Sequence, residues 1–458
     1  MRSAFLAAAA AALVASAVLA AAPARANGRF PASNTIRFSP ANPDLLLVRS
    51  TYGIMPSSDY GKTWTWLCED SLGLPPTSNE DPSLELTAGN AMVVGISLGL
   101  EVSPDTGCTW TFEPQPGLKG QNIKDLVLRP DAPHAVLAVT STYEVDGGTA
   151  DGGDLYSQQV FVSTDDGATW SPQGTALDPT VIVTTIEVAV NDPLRIYASG
   201  YRDATPRTTW LLESTDGAMT WHEYEISAFD PNTETAVYIA AVDPQNEDLV
   251  YVRSEGESRL FVSNDGGHTF QVAYSMLNDQ MLGFALSPDG SKIYLGGPNA
   301  GLFTAARGTL QFQPVMSTVD GSSPRSIHVQ CLATHGSDLW ACSDEVSGFV
   351  AGVSQDDGMT FTAKLHLNGI SGPIACAAST TAGQCAGALY DTMCANLGGC
   401  LEAGTGDGGA ETGTDGGPAG STPSKSSCGC TVVGGGGAAG AVAAALVALV
   451  ALGRRRRR

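Results

Sequence analysis

Short apolar runs, each closed by a polar turn, follow one another from Thr35 to about Leu367. TIRFSPANPDLLLVRSTYGIMPSSDYGKTWTWL, from Thr35, sets the pattern: a β-rich run, a Pro-rich turn, a second apolar strand, a short loop, a third strand and a fourth. AVYIAAVDPQNEDLVYVRSEGESRLFVSNDGGHTFQV, from Ala236, repeats it. Units from Ile123 and Thr184 carry the same turns at Arg129-Pro130 and Asn191-Asp192-Pro193, and a shorter unit starts at Leu84. Short strands at even spacing with turn signals predict an all-β chain.

One phrase recurs between the third and fourth strands, Ser-x-Asp-x-Gly-x-Thr-Trp/Phe. Its six copies begin at Ser57, Ser103, Ser163, Ser214, Ser263 and Ser354. The Asp can accept hydrogen bonds from N–H groups of its own turn, and Gly supplies positive φ where the chain reverses. Thr suits the outgoing strand, and Trp or Phe offers a large apolar face. Asp59, Asp105, Asp165, Asp216, Asp265 and Asp356 are thus read as structural. Ala218 replaces the Gly of the fourth copy, so that turn is expected to be looser. Met281–Ser317 supplies a unit with every strand but no intact phrase, and the last unit runs from Ser326 to about Leu367.

The phrase resembles the Asp-box, or BNR repeat, of β-propellers such as sialidases, sortilin-type receptors and photosystem assembly factors. The expected fold is a single seven-bladed propeller over residues 30–367. Closure with six or eight blades stays open, because the sixth unit lacks its box. A small Cys-rich segment, 368–403, follows. The resemblance also implies that ligands bind the face away from the boxes.

Both ends read as sorting devices. Residues 1–26 pair Arg2 with an Ala/Leu/Val run and end Ala24-Arg25-Ala26, a signal-peptide pattern with a retained anchor as the rival. A Gly/Ser/Thr/Asp tract, 404–427, has too little apolar content to fold and is expected to be a disordered linker. Cys428-Gly429-Cys430, an uncharged run from Thr431 to Gly453 and Arg454–Arg458 close the chain. That run is long enough for a transmembrane helix with its arginines on the cytoplasmic side. Over 428–458 the arrangement resembles the MYXO-CTERM sorting signal, which implies processing at Cys428 or Cys430 by a sorting protease. A plain C-terminal anchor is the alternative. Either way the chain is expected to be exported and membrane-anchored at the cell surface.

The whole chain carries 47 acidic and 24 basic residues, a formal charge of −23. Seven of the basic residues lie in the sorting segments, so the exported part is near about −30. That field opposes nucleic acid and anionic membrane surfaces. The expected partner is an envelope or extracellular protein or a glycan, met by a monomer.

Ten cysteines suit an oxidising compartment. Cys331 and Cys342 fall on adjacent strands of the last unit, where a bridge is expected. Cys68 and Cys108 could join the first two blades, while Cys376, Cys385, Cys394 and Cys400 allow three pairings among themselves. Zinc is disfavoured by the absence of a CxxC pair and of any His in that cluster.

Box-free loops offer Arg49 and Tyr52 in blade 1, Tyr143 and Glu144 in blade 3, and Tyr201, Arg202 and Asp203 in blade 4. Blade 5 offers Arg253 and Glu255, and blade 7 Asp344 and Glu345. Arg49, Arg202 and Arg253 with a Tyr and acids would resemble a sialidase's carboxylate clamp, since guanidinium forks grip carboxylates bidentately. Solvated rim charges and inter-blade ion pairs explain the same residues. The Phe/Tyr-Arg-Ile-Pro signature is missing; residues 29–31 read Arg-Phe-Pro. Xyloglucan-hydrolysing endoglucanases use two propellers, and this chain has room for one. Carboxylates for glycoside hydrolysis could be drawn from Glu144, Asp203 and Glu255, but with so many acids nothing singles them out. Asp146, Asp151 and Asp154 among glycines offer a Ca²⁺-type loop, with a plain loop as the rival. No other cofactor or metal site is expected. The favoured function is non-catalytic binding of a protein or glycan on the box-free face; the alternative is an exported sialidase-like glycoside hydrolase.

Overall fold

In each repeat unit, strands adjacent in sequence pair antiparallel. The computed structural model describes residues 33–74, 80–115, 117–144, 155–397 and 399–400. The expected signal segment 1–26, the Asp146–Asp154 loop, the linker 404–427, Cys428, Cys430 and the Thr431–Gly453 run lie outside those residues. Among the described residues no helix is long and apolar enough to cross a membrane.

Seven sheets in chain order form seven blades. Blade 1 comprises Ser33–Phe38, Leu46–Ser50 and Gly53–Ser57, with Leu67 bridging Ile54 on the outer edge. Blade 4 is regular: Ile182–Val188, Ile196–Arg202, Thr208–Ser214 and His222–Glu225. Blade 5 runs from Glu234–Asp243 through Asn246–Gly256 and Arg259–Ser263 to Gln271–Ser275. The boxless sixth unit also forms four strands, Gly283–Leu286 to Gln313–Val315. Six- and eight-bladed closures are thereby excluded. A blade's second strand packs between two blades, so both of its faces are buried. Leu46–Ser50 and Met92–Ile96 are therefore buried at every position rather than alternating. Inner strands of blades 1, 3 and 4 carry a bulge at matching positions. The bulge re-aims one side chain toward the next blade. Asp125 accepts from Ile186 N–H (3.1 Å) and Thr185 Oγ1 from Ile239 N–H (2.9 Å).

The box is a closed local network. In blade 3, Ser163 Oγ donates to Asp165 (2.8 Å) and accepts from Gly167 N–H (2.9 Å). Thr169 donates its N–H (2.9 Å) and Oγ1–H (2.7 Å) to the same carboxylate, and Trp170 Nε1 donates to Gly167 C=O (2.9 Å). The turn needs two consecutive left-handed residues, Asp166 at φ 58° and Gly167 at φ 86°. The first of these also latches the ring on the box face. Asp166 accepts from Gly89 N–H of blade 2 (3.0 Å), and Tyr60 donates to Asp338 of blade 7 (2.9 Å).

The looser turn expected at Ala218 is not found. Ala218 adopts φ 69°, and its N–H reaches Ser214 Oγ at 2.9 Å, the length seen in blade 3. Thr220 closes onto Asp216 with N–H and Oγ1 contacts of 2.9 and 2.7 Å. A φ this close to the left-handed minimum admits a methyl group, which is buried here. This box differs from that of blade 3 in one respect: Trp221 Nε1 is buried without a hydrogen-bond partner.

Blades 7 and 1 meet at the seam. Ser33 N–H donates to Ser343 C=O (3.3 Å), Trp64 Nε1 to Lys364 C=O (2.7 Å), and Phe38 stacks on His335 with centroids 4.4 Å apart. The chain leaving blade 7 then crosses blade 1. Ser371 N–H donates to Trp64 C=O, Trp66 N–H to Gly372 C=O and Ile374 N–H to Trp66 C=O, a short parallel pairing on the outer edge. A helix, α1 (Thr381–Asn396), follows, with Thr380 Oγ1 capping Gly383 N–H. Its small-residue face buries Ala382, Cys385, Ala386 and Met393. Cys385 bonds to Cys68 and Cys376 to Cys108, while Cys394 bonds to Cys400 and Cys331 to Cys342. The blade-7 bridge is as expected. Cys68 and Cys108 do not join each other, and two tail cysteines leave their own cluster. The tail therefore links blades 1 and 2.

Asp165→Ala removes two acceptor oxygens from three donors and is expected to cost about 1–3 kcal/mol in urea unfolding. Ala218→Gly should change stability by less than about 1 kcal/mol, because relief of left-handed strain offsets loss of a buried methyl. A larger loss in Ala218→Gly would contradict the account of this turn.

Candidate functional site

Most of the residues singled out on the box-free side are held locally. Arg49, 5 % exposed, pairs with Asp81 at 2.9 Å. Tyr52 is half-buried at the blade 1–7 seam, and its C=O accepts from Trp66 Nε1. Tyr143 and Tyr156 meet edge-on at 5.7 Å, and Glu144 N–H donates to Leu155 C=O. Arg202 is gripped by Asp178 (2.9 Å), Glu223 (2.7 Å) and Thr180 Oγ1 (2.9 Å), and lies 3.9 Å over the Trp210 ring. Asp344 is buried against His328 (2.7 Å), and Glu345 binds His366 (2.8 Å).

Blades 4 and 5 do bring four of the predicted residues together: Tyr201, Asp203, Arg253 and Glu255. Three residues that sequence reasoning missed complete the patch. Arg207 pairs with Asp203 (2.5 Å), donates to Thr235 C=O (2.5 Å) and lies 4.6 Å over the Tyr201 ring. Arg253 donates to Met281 C=O (3.0 Å) and covers Tyr238 at 4.9 Å. Exposed Glu255 accepts long contacts from Thr235 Oγ1 (3.3 Å) and Tyr238 Oη (3.5 Å). Burial, with Asp203 and Glu255 nearby, raises the Tyr201 phenol above its ordinary value. Burial and Glu255 raise that of Tyr238. Arg253 sits below its usual value because burial disfavours its charge. Both tyrosines stay neutral, and each has one face under a guanidinium. A signal existed: Tyr238 lies directly across the strand pair from Arg253.

Next to Glu255 opens a cleft of about 470 Å³ between blades 5 and 6, lined by residues 256–257, 277–280 and 298–299. Its far wall is pinned by Asp279, which accepts from Asn299 N–H (2.8 Å), Asn299 Nδ2 (2.9 Å) and Ala300 N–H (2.6 Å). A Cβ on Gly297 would come within 2.4 Å of the same carboxylate. The wall is thus preorganised, and Leu277, 70 % exposed, stands at its edge.

A second cluster was invisible to pattern reading. Arg37, Glu85, Asp125 and Glu187 come from the inner strands of blades 1 to 4. Arg37 Nε bonds both Glu85 (2.9 Å) and Leu84 C=O (2.9 Å). Burial pushes Asp125 up to about 7, against N–H donors from Ile186 and Leu126. Burial and the negative charges of Asp125 and Glu85 push Glu187 up to about 8. Glu85 is raised too, by burial that outweighs Arg37. Three carboxyls share one guanidinium. Among the described residues no group of three His, Cys, Asp or Glu is placed to hold a metal.

No protein-family model matches the chain, and no curated protein is found to be related to it by sequence. Solved structures are similar to part of the chain. A GH74 enzyme of Niastella koreensis is 15% identical over 72% of this chain and 71% of its own, with a TM-score of 0.24. The GH74 xyloglucanase of Xanthomonas campestris is 16% identical over 76% of this chain and 66% of its own, TM-score 0.30. YCF48 of Cyanidioschyzon merolae is 13% identical over 68% and 92%, TM-score 0.43. At such identities the likeness is one of β-propeller architecture alone.

The inner-strand acids make a pH prediction. Their folded values lie above the ordinary carboxylate range, so the unfolded chain ionises first as pH rises. Their contribution to stability is complete below about pH 4 and is lost as pH rises through about 7 to 8. The box aspartates act oppositely. Hydrogen bonds from Thr220 and Ser214 hold Asp216 down to about 2, so its contribution is lost only as pH falls from about 4 to that value. The urea midpoint should therefore fall between pH 5 and pH 9, and Asp125→Asn with Glu187→Gln should flatten that limb. An unchanged slope in the double variant would overturn the assignment.

Proposed function

We propose that this chain is a non-catalytic binding propeller, displayed at the cell surface, that holds a protein or a glycan on its box-free face. The carrying observation is how Arg49 and Arg202 are spent. Asp81 neutralises the first, and Asp178 with Glu223 the second. A carboxylate-clamping arginine trio would need guanidiniums aimed at one ligand. The blade 4–5 patch and its neighbouring cleft instead offer two neutral phenols, exposed carboxylate oxygens and carboxamides on preorganised turns. Such a surface can hold a ligand without supplying a nucleophile with its base.

Export and surface display are supported by four disulfides, which persist in oxidising compartments. The sequence at both ends supports the same placement. An anchor through the C-terminal segment and a sorting protease as a processing partner complete the proposal.

The rival is glycoside hydrolysis by a sialidase-like site. Incubating the full-length chain with fluorogenic glycosides, sialosides included, separates the two. No turnover above the no-protein rate is expected. Turnover that disappears in Arg49→Ala, Arg202→Ala or Arg253→Ala would overturn the non-catalytic reading.

A further inference from the structure

The tyrosine patch of blades 4–5 and the blade 5–6 cleft are one continuous surface. Glu255 belongs to the first, and the next two residues, Gly256 and Glu257, line the second. From this continuity we infer that the surface binds a neutral oligosaccharide chain, stacked at Tyr201 and Tyr238 and laid into the cleft. The inference rests on the binding reading above and specifies its ligand.

Three features select that chemistry. Sugar rings present C–H faces that pack on aromatic rings, and two half-buried tyrosines stand here, Tyr201 beneath Arg207 and Tyr238 beneath Arg253. Sugar hydroxyls both donate and accept. The cleft answers with the carboxamides of Asn278 and Gln280 and, beside it, the Glu255 carboxylate, whose contacts with Thr235 and Tyr238 are long (3.3 and 3.5 Å). Charge then sets the sign. Arg207 is neutralised by Asp203, Glu257 and Asp279 line the cleft, and Glu255 lies next to it in sequence, on a chain of net charge −23. Sialylated, uronic-acid or sulfated chains would meet a repulsive field there.

A protein partner fits the cleft less well. The core of a protein interface is depleted in charge and enriched in aromatic and other large side chains. Here the cleft exposes one large apolar residue, Leu277, among polar and charged ones. Its Asp279-pinned wall is also rigid and concave, which suits a narrow chain.

Calorimetry on the full-length chain tests this with cellohexaose, xylohexaose, mannohexaose and laminarihexaose as neutral probes, and hexagalacturonate as the acidic one. At least one neutral probe should bind, and hexagalacturonate should not. Tyr238→Ala and Tyr201→Ala should each weaken binding about tenfold, while Tyr238→Phe, with its ring intact, keeps it. Gln280→Ala should weaken it without moving the melting temperature, separating contact from folding. Hexagalacturonate binding as tightly as the neutral chains would overturn the ligand class but leave the binding function. Silence toward every probe, with melting unchanged, would overturn the inference and leave a protein as the ligand. Cleavage of a bound neutral chain would instead sink the non-catalytic reading.

Discussion

Each blade here is one unbroken piece of chain, so the first and last blades share no strand, and the ring has to be closed by other bonds. Hydrogen bonds of Ser33 to Ser343 and of Trp64 to Lys364 begin that closure, and Phe38 on His335 fills the seam. The tail completes it. After blade 7 it pairs with Trp64–Leu67 on the outer edge of blade 1, then bolts to blade 1 at Cys68 and blade 2 at Cys108. These disulfides span 317 and 268 residues in sequence. Cross-links over such long stretches of the unfolded chain remove much of its freedom, stabilising typically by about 2–4 kcal/mol each. Everything on the two faces of the disc depends on this closure.

Once closed, the two faces divide their tasks. On the box face, the Asp, Ser and Thr side chains are consumed by their own turns, as are the indoles of Trp64, Trp110 and Trp170. Their carboxylates are held ionised by hydrogen bonds. Strand-pairing loops and inter-blade connectors on the opposite face are free to differ between blades. There, between blades 4 and 6, they bring tyrosines, guanidiniums and a polar cleft together. Inside the ring, the inner-strand acids are in tension with the fold at alkaline pH, while the boxes are in tension with it at acid pH.

The blade count and the boxes were legible because their interactions are local. A Ser, an Asp and a Thr within seven residues carry their own bonding partners, so the text of the repeat is nearly the text of the turn. Even the boxless sixth blade could be read, since apolar runs such as KIYLGG announce a strand without the box. What was not legible comes from distant parts of the chain. Asp81 beside Arg49 and Glu223 beside Arg202 could not be paired by spacing, so three arginines looked like a clamp. Tyr238 lies on an inner strand and reads as core until it is set opposite Arg253. Cysteine spacing likewise favoured neighbours, whereas the tail carries Cys376, ahead of its helix, and Cys385, on it, back to the first two blades. Ala218 gives the converse case: a residue that broke the local rule while the backbone still met it.

The account rests on the claim that the tail, through its two long-range disulfides, closes the seam. Hydrogen exchange read by mass spectrometry tests it most directly, comparing the oxidised chain with a variant carrying Ser at 68, 108, 376 and 385. Protection should fall in Ser33–Phe38, in Asp338–Cys342 and along Trp64–Leu67, while blades 4 and 5 keep theirs. Protection retained at the seam, or lost evenly around all seven blades, would contradict it.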